Sequence, residues 1–122
     1  MPASIEAPAI ILFLLAMSLI AWTLKENPWA VHTVRIQENR GQRVACSGPY
    51  RVVRHPMYVG ALAMYPAMAC MLGSMLALAI AGLVMLAFVW RTAREDRTLR
   101  SELPGYEAYA TRTKFRLVPG IW

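Results

Sequence analysis

Charged side chains are missing from a long part of this sequence: residues 57 to 90 contain no Asp, Glu, Lys or Arg. Small multidrug exporters place an acidic residue inside a membrane span, so this absence argues against that class. No Lys or Arg precedes residue 25 either. A cleaved signal peptide needs a basic start, and we therefore expect the first apolar segment to be retained.

Cysteine is also scarce, with Cys46 in a basic stretch and Cys70 in an apolar one. Two cysteines so placed provide neither the spacing of a metal site nor the density of a secreted disulfide framework. We expect both to be reduced and structural. The methionines of the apolar region have no His or Cys spaced with them as metal ligands, so we predict packing roles and no metal site: Met57, Met64, Met68, Met71, Met75 and Met85.

The chain has an excess of apolar residues instead. Of its 122 residues, 57% are hydrophobic, which is more than one soluble domain of this length can cover. A bilayer is therefore the expected solvent. The net charge of +6 would also suit a nucleic-acid partner, but every cation lies next to an apolar segment, and we expect no nucleic-acid binding.

Two apolar regions predict membrane-spanning helices. Residues 5 to 24 have the length of one span, with Trp22 and Trp29 at interfacial positions and Pro28 ending the helix. Residues 57 to 90 are too long for one span, and Gly73-Ser74 predicts a tight turn between two helices of about 16 residues. Each would cover about 24 Å, less than a typical hydrocarbon core. Pro66 predicts a kink in the first of them.

The basic residues predict the topology. Three spans place all thirteen Lys and Arg on one side of the membrane, within residues 25 to 56 and 91 to 122, which marks that side as cytoplasmic. The predicted fold is all-α: an integral membrane protein with about three transmembrane helices. Its single domain comprises an N-terminal span (1–28), a cytoplasmic loop (29–56), a helical hairpin (57–90) and a cytoplasmic C-terminal helical extension (91–122).

The last helix is predicted to continue past the membrane surface to Glu102, where Leu103-Pro104-Gly105 ends it. Arg91, Glu95 and Thr98 share one face of this extension, either as a helical ion pair or as part of a site. A short amphipathic stretch follows, carrying Tyr106, Tyr109, Arg112 and Arg116.

Cations, rings and turn residues concentrate at residues 48 to 60, directly before the charge-free region. Pro56 is predicted to open a helix, with His55 just outside it and Tyr58 in its first turn. The unpaired amides of that turn could hold an anion. In the simplest alternative, His55 is only an interfacial turn residue, and Arg51 and Arg54 bind lipid phosphates.

Several motifs occur in a recognisable order: Gly48-Pro49-Tyr50-Arg51, Arg54 to Gly60 (RHPMYVG), Glu95-Asp96, Glu102 to Tyr106 and Arg116 to Pro119. Over residues 29 to 122 the chain resembles the isoprenylcysteine carboxyl methyltransferase family, and related membrane phospholipid methyltransferases share the RHPxYxG and acidic-pair pattern. The resemblance implies an integral membrane enzyme that takes S-adenosylmethionine from the cytoplasmic side and a lipophilic acceptor from the bilayer.

The resemblance also implies roles for individual residues. Arg91 falls where the family contacts its substrate, and Arg91 and Glu95 are expected to carry catalysis. The family's cofactor contacts fall on Gln42, Arg43, Val44, Ala45, Tyr50, His55, Pro56, Met57, Tyr58, Glu95 and Asp96. The chain departs from the family at Gln42, where His is expected, and at Asp96, which replaces the second Glu of the acidic pair. It also has fewer spans than its relatives.

The chemistry of S-adenosylmethionine calls for the same residue types. Its site needs an acid for the ammonium group, hydrogen-bond donors for the carboxylate and aromatic rings for the adenine. The acceptor stays open: a prenylated cysteine, another lipophilic carboxylate, a phospholipid amine or a small thiol. A non-enzymatic small membrane protein is the rival class. Three short spans leave little wall for a dry pocket, so a homodimer that uses the small residues of the spans, Gly60 among them, is also expected. The same small residues could equally pack the second span against the third within one chain.

Overall fold

The computed structural model describes residues 2–28 and 44–122, and this part of the chain contains α-helices, one short 3₁₀ turn and no strand. The helices are α1 (Ala3–Glu26), α2 (Pro56–Met71), α3 (Met75–Glu102) and α4 (Tyr106–Arg112), and the 3₁₀ turn is Gly48–Arg51. The predicted all-helical fold is confirmed. Trp29, Gln42 and Arg43 lie outside the described residues.

The helix boundaries follow the turn residues of the sequence. Pro56 occupies the first position of α2 and His55 its N-cap, as predicted. After α2 ends, Gly73 adopts a positive φ of 62°, which a residue with a side chain rarely adopts. Ser74 then caps α3, because its Oγ accepts a hydrogen bond from the amide of Ala77 at 3.1 Å.

Within residues 2–28 and 44–122, the helices α1 and α3 are long and apolar enough to cross a membrane. Their outward side chains are exposed along much of their length, among them Leu14, Leu15, Leu83 and Leu86. Helix α2 has 16 residues and covers about 24 Å. Its crossing of the bilayer stays a prediction.

Small residues let α1 and α2 approach closely. The buried positions of α1 are Ala9, Ala16 and Thr23, which recur every seven residues along one face. A Cβ atom on Gly60 of α2 would lie 2.6 Å from Cγ1 of Ile20 and 3.2 Å from the carbonyl oxygen of Ala16. Gly60, which the sequence suggested for a dimer or for packing on the third helix, therefore packs on α1.

The polar residues collect at one end of this bundle, in what we call the polar cap: residues 44–55 and 91–122. Its core consists of Tyr50, Leu103, Tyr106, Tyr109 and Ala110, against which Val44, Ala45 and Leu99 pack. Helix α3 runs without a break from the apolar bundle into this cap. The arrangement places Arg91 and Glu95 at the boundary between the two.

Candidate functional site

Asp96 is the centre of the polar cap. Its side chain is 1% exposed, and His55 Nε2 and the Tyr106 hydroxyl lie 3.1 and 2.9 Å from its Oδ1. Arg54 Nη2 and Arg116 Nε donate to its Oδ2 at 3.1 and 3.2 Å. Because these partners come from three separate stretches of chain, one buried carboxylate holds the cap together.

A backbone pairing supports this arrangement. The amides of Arg54 and His55 donate to the carbonyl oxygens of Phe115 and Arg116 at 2.8 and 3.0 Å. Two consecutive main-chain bonds therefore fix the segment before α2 against the C-terminal segment. Both guanidinium groups reach Asp96 from this pair of segments.

Tyr58 lies between the two predicted catalytic residues. Its hydroxyl is hydrogen-bonded to the Glu95 carboxylate and accepts a bond from Arg91 Nε at 3.0 Å. The Arg91 guanidinium also lies over the Tyr58 ring, 5.7 Å from its centroid. The His55 ring also stacks with the Tyr58 ring, with 6.0 Å between the ring centroids and 22° between the ring planes. Glu95, Tyr58 and Arg91 are therefore brought together. Spacing along the helix predicted a shared face for Arg91 and Glu95 only, and the approach of Tyr58 was expected from the family resemblance.

A cluster of tyrosines closes the cap. The Tyr109 hydroxyl donates to the Tyr50 carbonyl oxygen at 2.6 Å, and Thr113 Oγ1 donates to the same oxygen at 3.3 Å. Burial raises the pKa of Tyr50 to about 12. Burial also raises the pKa of Tyr109. Burial and the negative charge of Asp96 together raise the pKa of Tyr106. These phenols are therefore neutral structural groups at physiological pH.

The end of α1 is bonded to the cap. Ser47 Oγ donates to Glu26 Oε2 at 2.5 Å, and Asn27 Nδ2 donates to the Tyr50 hydroxyl at 2.8 Å. These two contacts connect the N-terminal helix to the turn that precedes α2. The first span is therefore positioned directly beside the candidate site.

The predicted cofactor residues divide into two layers. Tyr50, His55, Pro56, Tyr58 and Asp96 are buried among protein side chains. A second group is partly exposed and is therefore accessible to a ligand: Val44, Ala45, Met57 and Glu95. The predicted contacts at Gln42 and Arg43 lie outside the described residues.

Two expectations from the sequence are wrong. Arg54 does not face lipid phosphates, because its side chain is 5% exposed and its Nε and Nη2 lie 3.1 Å from the Asp96 carboxylate. The first amides of α2 are not all unpaired either. Those of Tyr58 and Val59 donate to the His55 carbonyl oxygen at 3.1 and 3.3 Å.

Sequence reasoning missed the contribution of the C-terminal segment. Tyr106 and Arg116 both bind Asp96, yet neither was named as part of the site. One signal was present in the sequence. Consecutive residues on a helix lie about 100° apart, so Glu95 and Asp96 point to different sides of α3. Within the described residues, no group of three or more His, Cys, Asp or Glu side chains could hold a metal ion.

Comparison with known proteins identifies the family. A family model described as phospholipid methyltransferase matches residues 5–103, which is most of the chain and includes α1, α2 and α3. No curated protein and no solved structure matches the chain significantly. The matched region contains the Tyr58, Arg91 and Glu95 cluster and the two long apolar helices. The chain is a membrane protein and belongs to the phospholipid methyltransferase family, the family of isoprenylcysteine carboxyl methyltransferase-like membrane methyltransferases.

Proposed function

We propose that the chain is an S-adenosylmethionine-dependent methyltransferase that methylates the carboxylate of a lipophilic acceptor. The contact of Tyr58 with both Arg91 and Glu95 carries this proposal, because it sets a cation and an acid side by side where the apolar part of α3 ends. The family match supports methyl transfer in general. The choice of cofactor and acceptor rests on the charges of these residues.

The exposed layer of the site fits the cofactor. Glu95 is a partly exposed acid that can pair with the ammonium of an amino acid, and Met57 offers an apolar surface nearby at the start of α2. When bound, S-adenosylmethionine would supply a methyl group on a positively charged sulfur, and its transfer to a carboxylate neutralises both charges. The buried layer of Tyr58 and His55 fixes the orientation of Glu95 from behind.

Arg91 fits an anionic acceptor. It directly follows Trp90, an exposed ring of the kind found at the membrane interface, and it precedes the polar part of α3. A guanidinium binds a carboxylate through two parallel hydrogen bonds, which would orient a lipid-borne acid at the membrane surface. Tyr58 restrains the Arg91 side chain through its Nε, so the rotamer is set before the acceptor arrives.

A phospholipid amine is the second candidate acceptor. Membership of the phospholipid methyltransferase family favours it, and the Glu95 carboxylate could attract a headgroup ammonium as well as that of the cofactor. In that case Arg91 would bind the lipid phosphate instead of the reacting group. The two candidates therefore assign different partners to the same residues.

The test starts from protein purified in an uncharged detergent. We expect S-adenosylhomocysteine to bind, and labelled methyl from S-adenosylmethionine to appear on a prenylated cysteine or a long-chain fatty acid in a base-labile form. Carboxyl esters release methanol in base, whereas N-methyl groups do not. Label that resists base on phosphatidylethanolamine would select the amine acceptor. Absence of cofactor binding would remove the proposal altogether.

The proposal also places the site on the cytoplasmic face. Cysteines replacing Ser47 and Ser101 should be labelled from one side of the membrane, and cysteines replacing Ser4 and Ser74 from the other. Labelling of the Ser47 and Ser74 replacements from the same side would contradict a three-span arrangement.

A further inference from the structure

An open polar cavity lies on another face of α3. It has a volume of about 440 Å³ and lies between α3 and the C-terminal segment. Asp96 lies at its floor. Its walls contain three guanidinium groups, a hydroxyl and an indole, which belong to Arg97, Arg100, Arg116, Ser101 and Trp122. Arg116 is held in place, because its Nε binds Asp96 and its guanidinium lies 4.9 Å from the centre of the Trp122 ring.

The cavity has a net positive charge. Asp96 is the acid in its lining, and Arg54 pairs with it from behind. Arg100 forms an exposed ion pair with Glu107 through Nε and Nη2, each at 2.8 Å. With these two neighbours included, four arginine side chains face two side-chain carboxylates, so the side chains around the cavity carry more positive than negative charge.

The lining arginines also retain hydrogen-bond donors. A guanidinium carries five N–H groups. Arg116 uses its Nε for Asp96, and Arg100 uses one side of its fork for Glu107, so each keeps N–H groups on its remaining nitrogens. Arg97 is exposed beside them. Planar, paired donors of this kind match the oxygens of a phosphate.

This cavity is separate from the candidate methyl-transfer site. Residues on a helix advance by about 100° each, so Arg97 points about 200° away from Glu95. The wall that divides them is the buried carboxylate of Asp96 with its partners. A ligand in the cavity would therefore not touch Tyr58 or Arg91.

Size and position define the ligand further. A volume of 440 Å³ lies within the range of small-molecule pockets, about 300 to 1,000 Å³, and exceeds what a single inorganic anion fills. Along α3 the lining extends from Ala93 to Ser101, roughly 4 to 17 Å beyond Trp90, the last residue of the apolar run. We propose that this cavity binds a phosphate group, carried either by a membrane lipid or by a soluble molecule.

The experiment uses the full chain in uncharged detergent and measures binding and the melting temperature. The probes are short-chain phosphatidylglycerol, inorganic phosphate and an uncharged glycerolipid with the same acyl chains. We expect a phosphate-bearing probe to bind and to raise the melting temperature, since a ligand of the folded state stabilises it. If phosphatidylglycerol binds and inorganic phosphate does not, the ligand is a lipid headgroup. If inorganic phosphate binds without the lipid, the source is a soluble molecule.

Three variants test the assignment. Arg97→Gln removes a lining cation and Ser101→Glu adds a negative charge at an exposed lining position, so each should weaken binding about tenfold or more. Arg112→Gln is the matched control, because Arg112 is an exposed arginine of α4 outside the lining. Equal weakening by Arg97→Gln and Arg112→Gln, tight binding of the uncharged glycerolipid, or no binding of either phosphate probe would overturn the proposal.

Discussion

The apolar bundle and the polar cap are stabilised in different ways. In the bundle, buried contacts involve small residues, and side-chain hydroxyls bond to the backbone of their own helix, as Ser18 does with Leu14 and Thr23 with Leu19. In the cap, long-range bonds converge on Asp96 from residues 42 positions before it to 20 positions after it. Lipid can cover the outer face of the bundle, whereas the cap has to build a closed core with its own charges.

The largest expected effect comes from removing the charge at the centre of the cap. Asp96→Asn keeps the shape of the side chain but leaves Arg54 as a buried, uncompensated cation. Breaking a buried ion pair in this way costs about 3 to 5 kcal/mol. We expect the cap to unfold at a lower temperature than the bundle in this variant. Equal melting of Asp96→Asn and of Glu102→Gln, an exposed control on the same helix, would refute the central role of Asp96.

The second-largest expected effect distinguishes the role of Glu95 in ligand binding from the role of Asp96 in stability. Glu95→Gln should weaken S-adenosylhomocysteine binding about tenfold to a hundredfold, because a hydrogen bond to a charged group contributes roughly 1.5 to 3 kcal/mol. Its effect on stability should be small, since Glu95 is partly exposed. Arg91→Gln is the companion variant. Arg91→Gln should reduce methyl transfer while S-adenosylhomocysteine binding persists. For Glu95→Gln, an unchanged cofactor affinity would show that Glu95 has only a structural role.

A third prediction concerns the bundle. Gly60→Ala should destabilise the contact of α1 and α2 by about 1 to 3 kcal/mol, because the added Cβ would collide with Ile20. Gly82→Ala is a matched control within α3, where an added Cβ meets nothing within 4 Å. That substitution should be neutral or slightly stabilising, since Ala favours a helix over Gly. Similar melting temperatures for the two variants would contradict the close packing.

The smallest expected effect is a loss of stability at alkaline pH. Tyr50 has its pKa raised to about 12 in the folded cap by burial, against about 10 in an unfolded chain. A raised pKa favours the protonated form on folding, so this contribution to stability is complete below pH 10 and is lost as the pH rises towards 12. Phenolate absorbance and the melting temperature should change together in this window. Tyr50→Phe should reduce that pH dependence, and an identical profile would exclude Tyr50 as its source.

Local sequence predicted the helices better than the contacts between them. Pro56, Gly73-Ser74 and Leu103-Pro104 mark boundaries through backbone geometry, which depends on a few adjacent residues. The shared face of Arg91 and Glu95 follows from helix spacing, whereas their contact with Tyr58 depends on how α2 packs against α3. The burial of Asp96 depends on Arg54, Tyr106 and Arg116, whose positions are set by tertiary packing and not by any local period. The same reason explains why Arg54 was assigned to lipid.

Helix α3 is a continuous rod of 28 residues, about 42 Å long, and it carries both arginine-lined sites beyond the membrane. A change in bilayer thickness alters the tilt of such a rod. A change in tilt of about ten degrees would displace Glu102 by roughly 3 Å relative to Trp90, since about 18 Å of helix separates them. We therefore expect bilayer thickness to influence the site through the tilt of α3. In vesicles of increasing acyl-chain length, we expect the methyl-transfer rate to pass through a maximum, and a constant rate would show that the cap is mechanically independent.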